Sequence, residues 1–226
     1  MCLLAVSLVL NSGEVFADIT KVNPEKDQPR VLVWGDSLSA AYGIEVKDGW
    51  VALLKARYAD QLSVVNGSIS GETTQSGLTR LPKALETHKP QLLLLELGAN
   101  DGLRGIKTEV MQQNLQQMIK LAQAQNVQVV LIGIRIPLNY GVTYTQKFEQ
   151  VYRDLATQNH LPLLPFLLEG VALDFELMQE DGLHPTAQAQ PKILDHVLSV
   201  LAPVLAELIK SEDLPQRLTD AVAVTQ

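Results

Sequence analysis

The chain has 226 residues, enough for one well-cored domain. Its composition, 46% hydrophobic and 19% charged, excludes a disordered chain. The formal net charge of −7, with no basic run, excludes an electrostatic surface for nucleic acid or anionic membrane.

Residues 1–17, MCLLAVSLVLNSGEVFA, carry an apolar run too short to span a bilayer. Val15-Phe16-Ala17 then offers small side chains at the two positions a signal peptidase inspects. The segment is expected to be an export signal, although no Lys or Arg precedes the run; a buried N-terminal strand or helix is the alternative. Residues 18–226 are expected to form the single mature domain, periplasmic or secreted and without a stable membrane anchor. Cys2 is the only cysteine, so the mature chain would have none, which excludes thiolate catalysis and zinc–thiolate sites.

From Arg30 onward, strand and helix patterns alternate. RVLVWG (30–35), LSVVN (62–66), QLLLLELG (91–98) and VQVVLIGI (127–134) are continuous aliphatic runs, as in strands covered on both faces. LPLLP (161–165) is a weaker fifth. Helical spacing is seen over 48–58, 74–87, 108–126, with Thr108 as the expected N-cap, 144–159 and 190–210. The polar tail after Lys210 is expected to fray. This order predicts a parallel sheet with helices on both faces. Ligands then bind beyond the carboxyl ends of the strands.

Four segments converge on that edge. Ser37 follows the first strand. Gly71 follows the second, in NGSISGET; Asn100 and Asp101 follow the third, in GANDGLRG. Asp181 and His184 lie in QEDGLHPTAQ, before the last helix. A serine hydroxyl needs a neighbouring base to become a nucleophile. Of the four histidines, His88 ends a helix, His160 sits in a polar turn and His196 lies within the last helix. His184 alone lies in a loop, between Gly182 and Pro185, with a carboxylate three residues earlier. One helical turn would bring Asp181 under the ring to fix its tautomer, freeing the other nitrogen for Ser37. Asn100, Gly71 and Ser37 are candidate donors to an oxyanion, each contributing about 3 kcal/mol. Asp36 and Asp101 are expected to brace turns.

Taken together, GDSLSAAYG, NGSISGET, ELGANDGLRG and DGLHP resemble, block by block, the SGNH (GDSL) hydrolase family, and the likeness runs from about residue 30 to 200. SVVNGSISGETTQSGLTRLP, IRIPLNYG and LPLLPF bring it closest to that family's bacterial thioesterase, lysophospholipase and arylesterase branch. The resemblance implies a flavodoxin-like three-layer α/β/α sandwich with a five-stranded parallel sheet. It implies Ser37 as nucleophile, His184 as base, Asp181 as its orienter, and Ser37, Gly71 and Asn100 around the oxyanion, with no metal or organic cofactor. The substrate would be a small acyl ester or thioester, a lysophospholipid among them, handled by a monomer. Family members often carry glycine where this chain has Ala41 and Ala99. An alanine forced to positive φ costs about 1–2 kcal/mol, so both loops are expected to adopt a backbone that suits alanine, with a narrower pocket.

Leu103, Ile136, Pro137, Tyr140, Phe166 and Leu183 are candidates for an acyl groove, or for core. Arg104 would meet a phosphate-bearing head group or solvent. A carbohydrate deacetylase on the same fold would share the site residues but need a small pocket. A non-catalytic flavodoxin-like binding module would want a phosphate-cradling glycine loop after the first strand, which is absent.

Overall fold

The computed structural model describes residues 28–223, with side chains described through Lys210. The expected export segment lies outside the described residues. Five strands form one parallel sheet: β1 (Arg30–Gly35), β2 (Ser63–Asn66), β3 (Leu92–Glu96), β4 (Gln128–Ile132) and β5 (Leu163–Leu164), in the order β2-β1-β3-β4-β5. Every neighbouring pair is parallel, for example Val31 beside Val64 and Leu92. The expected five-stranded sandwich is therefore the fold.

The aliphatic runs work because both sheet faces are buried and alternate residues serve opposite layers. Val31, Val33, Leu92, Leu94, Val130 and Ile132 pack with α1 (Trp50–Arg57) and α6 (Gln190–Ala223). Leu32, Trp34, Leu93, Leu95, Val129 and Leu131 pack with α2 (Thr74–His88), α4 (Thr108–Gln123) and α5 (Val142–Asn159). Leu92 through Leu95 have no exposed surface. Each fully buried leucine stabilises the fold by about 1.5–3 kcal/mol.

Three local expectations are corrected. Thr108 is the first residue of α4, its side chain buried, and Lys107 holds the cap position with no side-chain cap bond. GANDGL, read as loop, contains a short helix, α3 (Ala99–Leu103). The last helix does not end near 210 but continues to Ala223. No helix among the described residues is long and apolar enough to cross a membrane.

The order of strands reverses between β1 and β3, so the loops after these two strands diverge and leave a crevice at the carboxyl edge. Ser37 stands in the first of these connections, and Asn100 in the second, in the first turn of α3.

Candidate active site

β1 ends at Gly35, where a Cβ would lie 2.4 Å from Glu96 Oε2 and 2.9 Å from Ser39 Oγ. The missing side chain lets the chain turn over a buried carboxylate. Glu96 Oε2 accepts from Ser39 Oγ at 2.6 Å and from Asp36 N at 3.3 Å, while Oε1 is buried without a hydrogen-bond partner. Asp36 Oδ1 accepts from Leu38 N at 3.1 Å, and Ala40 N donates to Asp36 O at 2.9 Å. Asp36 therefore braces the turn that presents Ser37. Burial raises the Asp36 pKa to about 7, against the hydrogen bonds from Leu38 and Asn100 that lower it. Burial, with the Asp36 charge second, pushes Glu96 well above the usual carboxylate range.

Ser37 Oγ donates to His184 Nε2 at 2.9 Å, and His184 Nδ1 donates to Asp181 Oδ2 at 2.6 Å. The helical turn expected for Asp181 and His184 is not what joins them. Gly182 has φ +66° and breaks any helix. Instead Asp181 Oδ1 accepts from Leu183 N at 2.9 Å and His184 N at 3.0 Å, folding the carboxylate back over its own loop. Partial burial raises the Asp181 pKa, but bonds from the His184 ring and the two backbone N–H groups outweigh it and hold the carboxyl below its ordinary value. Gln179 fixes this loop to the serine turn: its Nε2 donates to Tyr42 O at 2.8 Å and to Pro185 O at 2.9 Å. The Tyr42 ring lies 4.5 Å from the His184 ring, centroid to centroid.

Asn100 sits in the first turn of α3, and its Nδ2 donates to Glu72 O at 3.1 Å and to Asp36 Oδ2 at 3.3 Å. Asp101 is a brace, as expected, accepting from Thr74 N at 2.8 Å and Thr74 Oγ1 at 2.5 Å. Gly71 has φ +81°, a backbone that suits glycine, with nothing within 4 Å of where a Cβ would stand. Arg104 is exposed, as one of the two readings had it, and its Nη2 donates to Gly71 O at 3.1 Å.

Ser37, Gly71, Asn100 and His184 all line one cavity of about 240 Å³. Leu103, Ile136, Pro137, Phe166 and Leu183 line it too. Tyr140 does not; it is exposed, and its hydroxyl donates to Leu103 O at 3.0 Å, tying it to a residue of the cavity wall. Sequence reasoning missed Tyr42, Ile134, Arg135, Leu167 and Leu168, which also line the cavity. Leu167 and Leu168 continue an apolar run past β5 and look like core. Arg135, with its guanidinium 4.7 Å from the Phe166 ring centroid, is held by Glu149 and Glu169. Ala41 overturns an expectation: its φ is +60°, in the left-handed region, whereas Ala99 opens α3 with no positive φ.

A flavodoxin-like sheet whose carboxyl edge carries a serine, a histidine and an aspartate in one hydrogen-bonded row defines a serine hydrolase. The GDSL-like lipase/acylhydrolase family matches residues 33–190, and the chain belongs to that family. It is 48% identical over 178 residues to Esterase TesA of Pseudomonas aeruginosa, covering 77% of this chain and 89% of that protein. It is 45% identical over 175 residues to Thioesterase 1/protease 1/lysophospholipase L1 of Escherichia coli K12, covering 77% and 84%. Among solved structures, the psychrotrophic esterase EstA from Pseudoalteromonas sp., inhibited by monoethylphosphonate, superimposes with a TM-score of 0.76 at 40% identity, covering 79% of this chain and 100% of that one. The protein is an enzyme of the ester-hydrolase class, as the motif resemblance implied.

Proposed function

We propose that this chain is an exported, monomeric esterase that hydrolyses medium-chain acyl esters and thioesters, lysophospholipids among them, through an acyl-enzyme on Ser37. The observation that carries the reading is the unbroken row Ser37 Oγ–His184 Nε2–Asp181 at 2.9 and 2.6 Å, opening on a mostly aliphatic cavity. His184 takes the proton as Ser37 Oγ attacks the carbonyl carbon. Ser37 N, Gly71 N and Asn100 Nδ2 receive the negative charge on the carbonyl oxygen. His184 then returns its proton to the departing alcohol or thiol, and water repeats the sequence to release the acid. Asp181 stays ionised and stabilises the imidazolium.

The surface supports a lipid-like substrate. Among the described residues, the exposed Tyr42, Val46, Ile69, Leu138, Val142, Leu173 and Phe175 all stand in segments that follow the carboxyl ends of strands, and Tyr42 lines the cavity itself. Export rests on the Val15-Phe16-Ala17 pattern, and N-terminal sequencing of the protein from cell fractions checks it. The row lies within one chain, so the proposed chemistry needs no second copy; size-exclusion chromatography with light scattering checks the monomer.

The test is kcat/KM on p-nitrophenyl octanoate against acetate, with Ser37→Ala as the blank. Preference for octanoate supports the acyl cavity. Preference for acetate overturns it in favour of a small-ester deacetylase, and no turnover of any ester by the folded protein overturns the enzyme assignment of these residues.

A further inference from the structure

Gly71 and Asn100 both depend on one short loop, Gly67–Glu72, which enters α2. The loop is hooked onto β1 where Gly67 N donates to Val33 O at 2.8 Å and Ile69 N to Gly35 O at 3.1 Å. It then closes a tight turn, with Glu72 N donating to Ile69 O at 3.1 Å and Gly71 in the third position at φ +81°. Those bonds fix its start and its bend. Its end is fixed by a side chain from the helix it leads into.

Arg80, in the second turn of α2, reaches back over the loop. Its Nε donates to Glu72 Oε1 at 2.7 Å, and its Nη2 forms a short ion pair with Glu72 Oε2. The same Nη2 donates to Gly67 O at 3.0 Å, so one guanidinium ties both ends of the loop together. The Glu72 side chain is only 3% exposed, and the guanidinium lies 4.0 Å from the Trp34 ring centroid. Trp34 is itself held by its Nε1 donating to Gly77 O at 3.2 Å. A planar fork with fixed donor directions serves here; a lysine could hold Glu72 or Gly67, not both in the same plane.

We infer that Arg80, with Glu72, is a positioning residue for the oxyanion donors, a clip that holds Gly71 N and, through Glu72 O, the Asn100 amide in register with Ser37. Both hydrogens of Asn100 Nδ2 are engaged in the free enzyme, by Glu72 O at 3.1 Å and Asp36 Oδ2 at 3.3 Å. The developing oxyanion must take one. With Glu72 O held by the clip, the longer bond to Asp36 is the one that yields, and the amide swings about a fixed anchor. Without the clip the Glu72 carbonyl drifts and Asn100 has no fixed direction when charge develops.

The inference rests on the proposed roles of Ser37, Gly71 and Asn100, and its test separates the two. Arg80→Gln, Arg80→Lys and Glu72→Gln are compared with wild type by steady-state kinetics on p-nitrophenyl octanoate, by octanoate product inhibition, and by the rate of phosphonylation with a p-nitrophenyl alkylphosphonate. Misplaced donors should lower kcat about 10²-fold with KM and octanoate affinity unchanged. Phosphonylation should slow in parallel, because that reaction also develops charge on the oxygen facing these donors. Arg80→Lys should fall between wild type and Arg80→Gln, and the double variant Glu72→Gln/Arg80→Gln should lose no more than the worse single one. Circular dichroism establishes that each variant is folded; should Arg80→Gln fail to fold, Arg80→Lys and Glu72→Gln carry the test. A folded variant that melts earlier yet keeps wild-type kcat and phosphonylation rate overturns the inference. That result would leave the assignment of Ser37 intact, whereas an active Ser37→Ala would overturn that assignment and the inference with it, so the two failures are distinguishable.

Discussion

Asp36→Asn isolates the electrostatic cost of building the serine turn over buried carboxylates. Asp36 has no exposed surface and its pKa stands near 7, against 3.8 for the unperturbed side chain. Below pH 3.8 the carboxyl is neutral in both folded and unfolded chains. Between 3.8 and 7 the unfolded chain releases the proton while the folded chain keeps it, so stability falls as pH rises. Above 7 the loss is complete, and at 1.36 kcal/mol per unit it comes to about 4 kcal/mol. Asparagine has no proton to release. It carries a pH-independent penalty instead, because an NH2 donor replaces one of the two oxygens that separately accept from Leu38 N and Asn100 Nδ2. Glu96 is present in both proteins, and losing the Asp36 charge relaxes its upward shift, which adds to the trend. Urea unfolding of both proteins between pH 4 and 8.5 should therefore show the variant gaining on wild type by several kcal/mol. A stability difference that does not change with pH would mean that burial does not hold the Asp36 proton in the folded chain.

Other changes probe single links. Ala41→Gly removes a left-handed alanine, a gain of about 1–2 kcal/mol, against about 0.5–1 kcal/mol for the freer unfolded chain. Thermal melting should rise by a few degrees, and a lower melting point would mean that the methyl packed beside Gly49 matters more than the strain. Asp181→Asn can keep its oxygen toward the Leu183 and His184 N–H groups, but it turns an amide toward His184 Nδ1 and selects the wrong tautomer. kcat should fall by about 10³–10⁴-fold with the fold intact, and near-normal turnover would remove Asp181 from the mechanism.

Much of the fold was legible because a parallel sheet buried on both faces needs continuous aliphatic strands, and QLLLLELG or VQVVLIGI allows little else. β5 was the weakest expectation and is the shortest strand, with two residues. α3 escaped notice because five residues containing Gly102 carry no helical period. The Asp181–His184 spacing pointed to the right pair through the wrong geometry: a spacing of three suits both a helical turn and a side chain capping its own loop, and only the positive φ of Gly182 separates them. Ala41 could not be read from sequence, since the strain of one residue is decided by the packing around it. Glu96 was visible as the one charge in a leucine run, but what it faces comes from Ser39 and Asp36, far away in sequence. Arg80 looks like a surface residue until Glu72 and Gly67 are placed beside it, and Tyr140, read as groove or core, lies exposed beside Leu103.

In the proposed mechanism Ser37, activated by His184, forms the acyl-enzyme. The most direct measurement is covalent capture: incubate the protein with one equivalent of a p-nitrophenyl alkylphosphonate, digest it, and locate the adduct by peptide mass spectrometry. Complete modification at Ser37 is expected in step with loss of esterase activity, with far slower modification in His184→Ala. An adduct on another residue, or loss of activity with Ser37 unmodified, would contradict this mechanism.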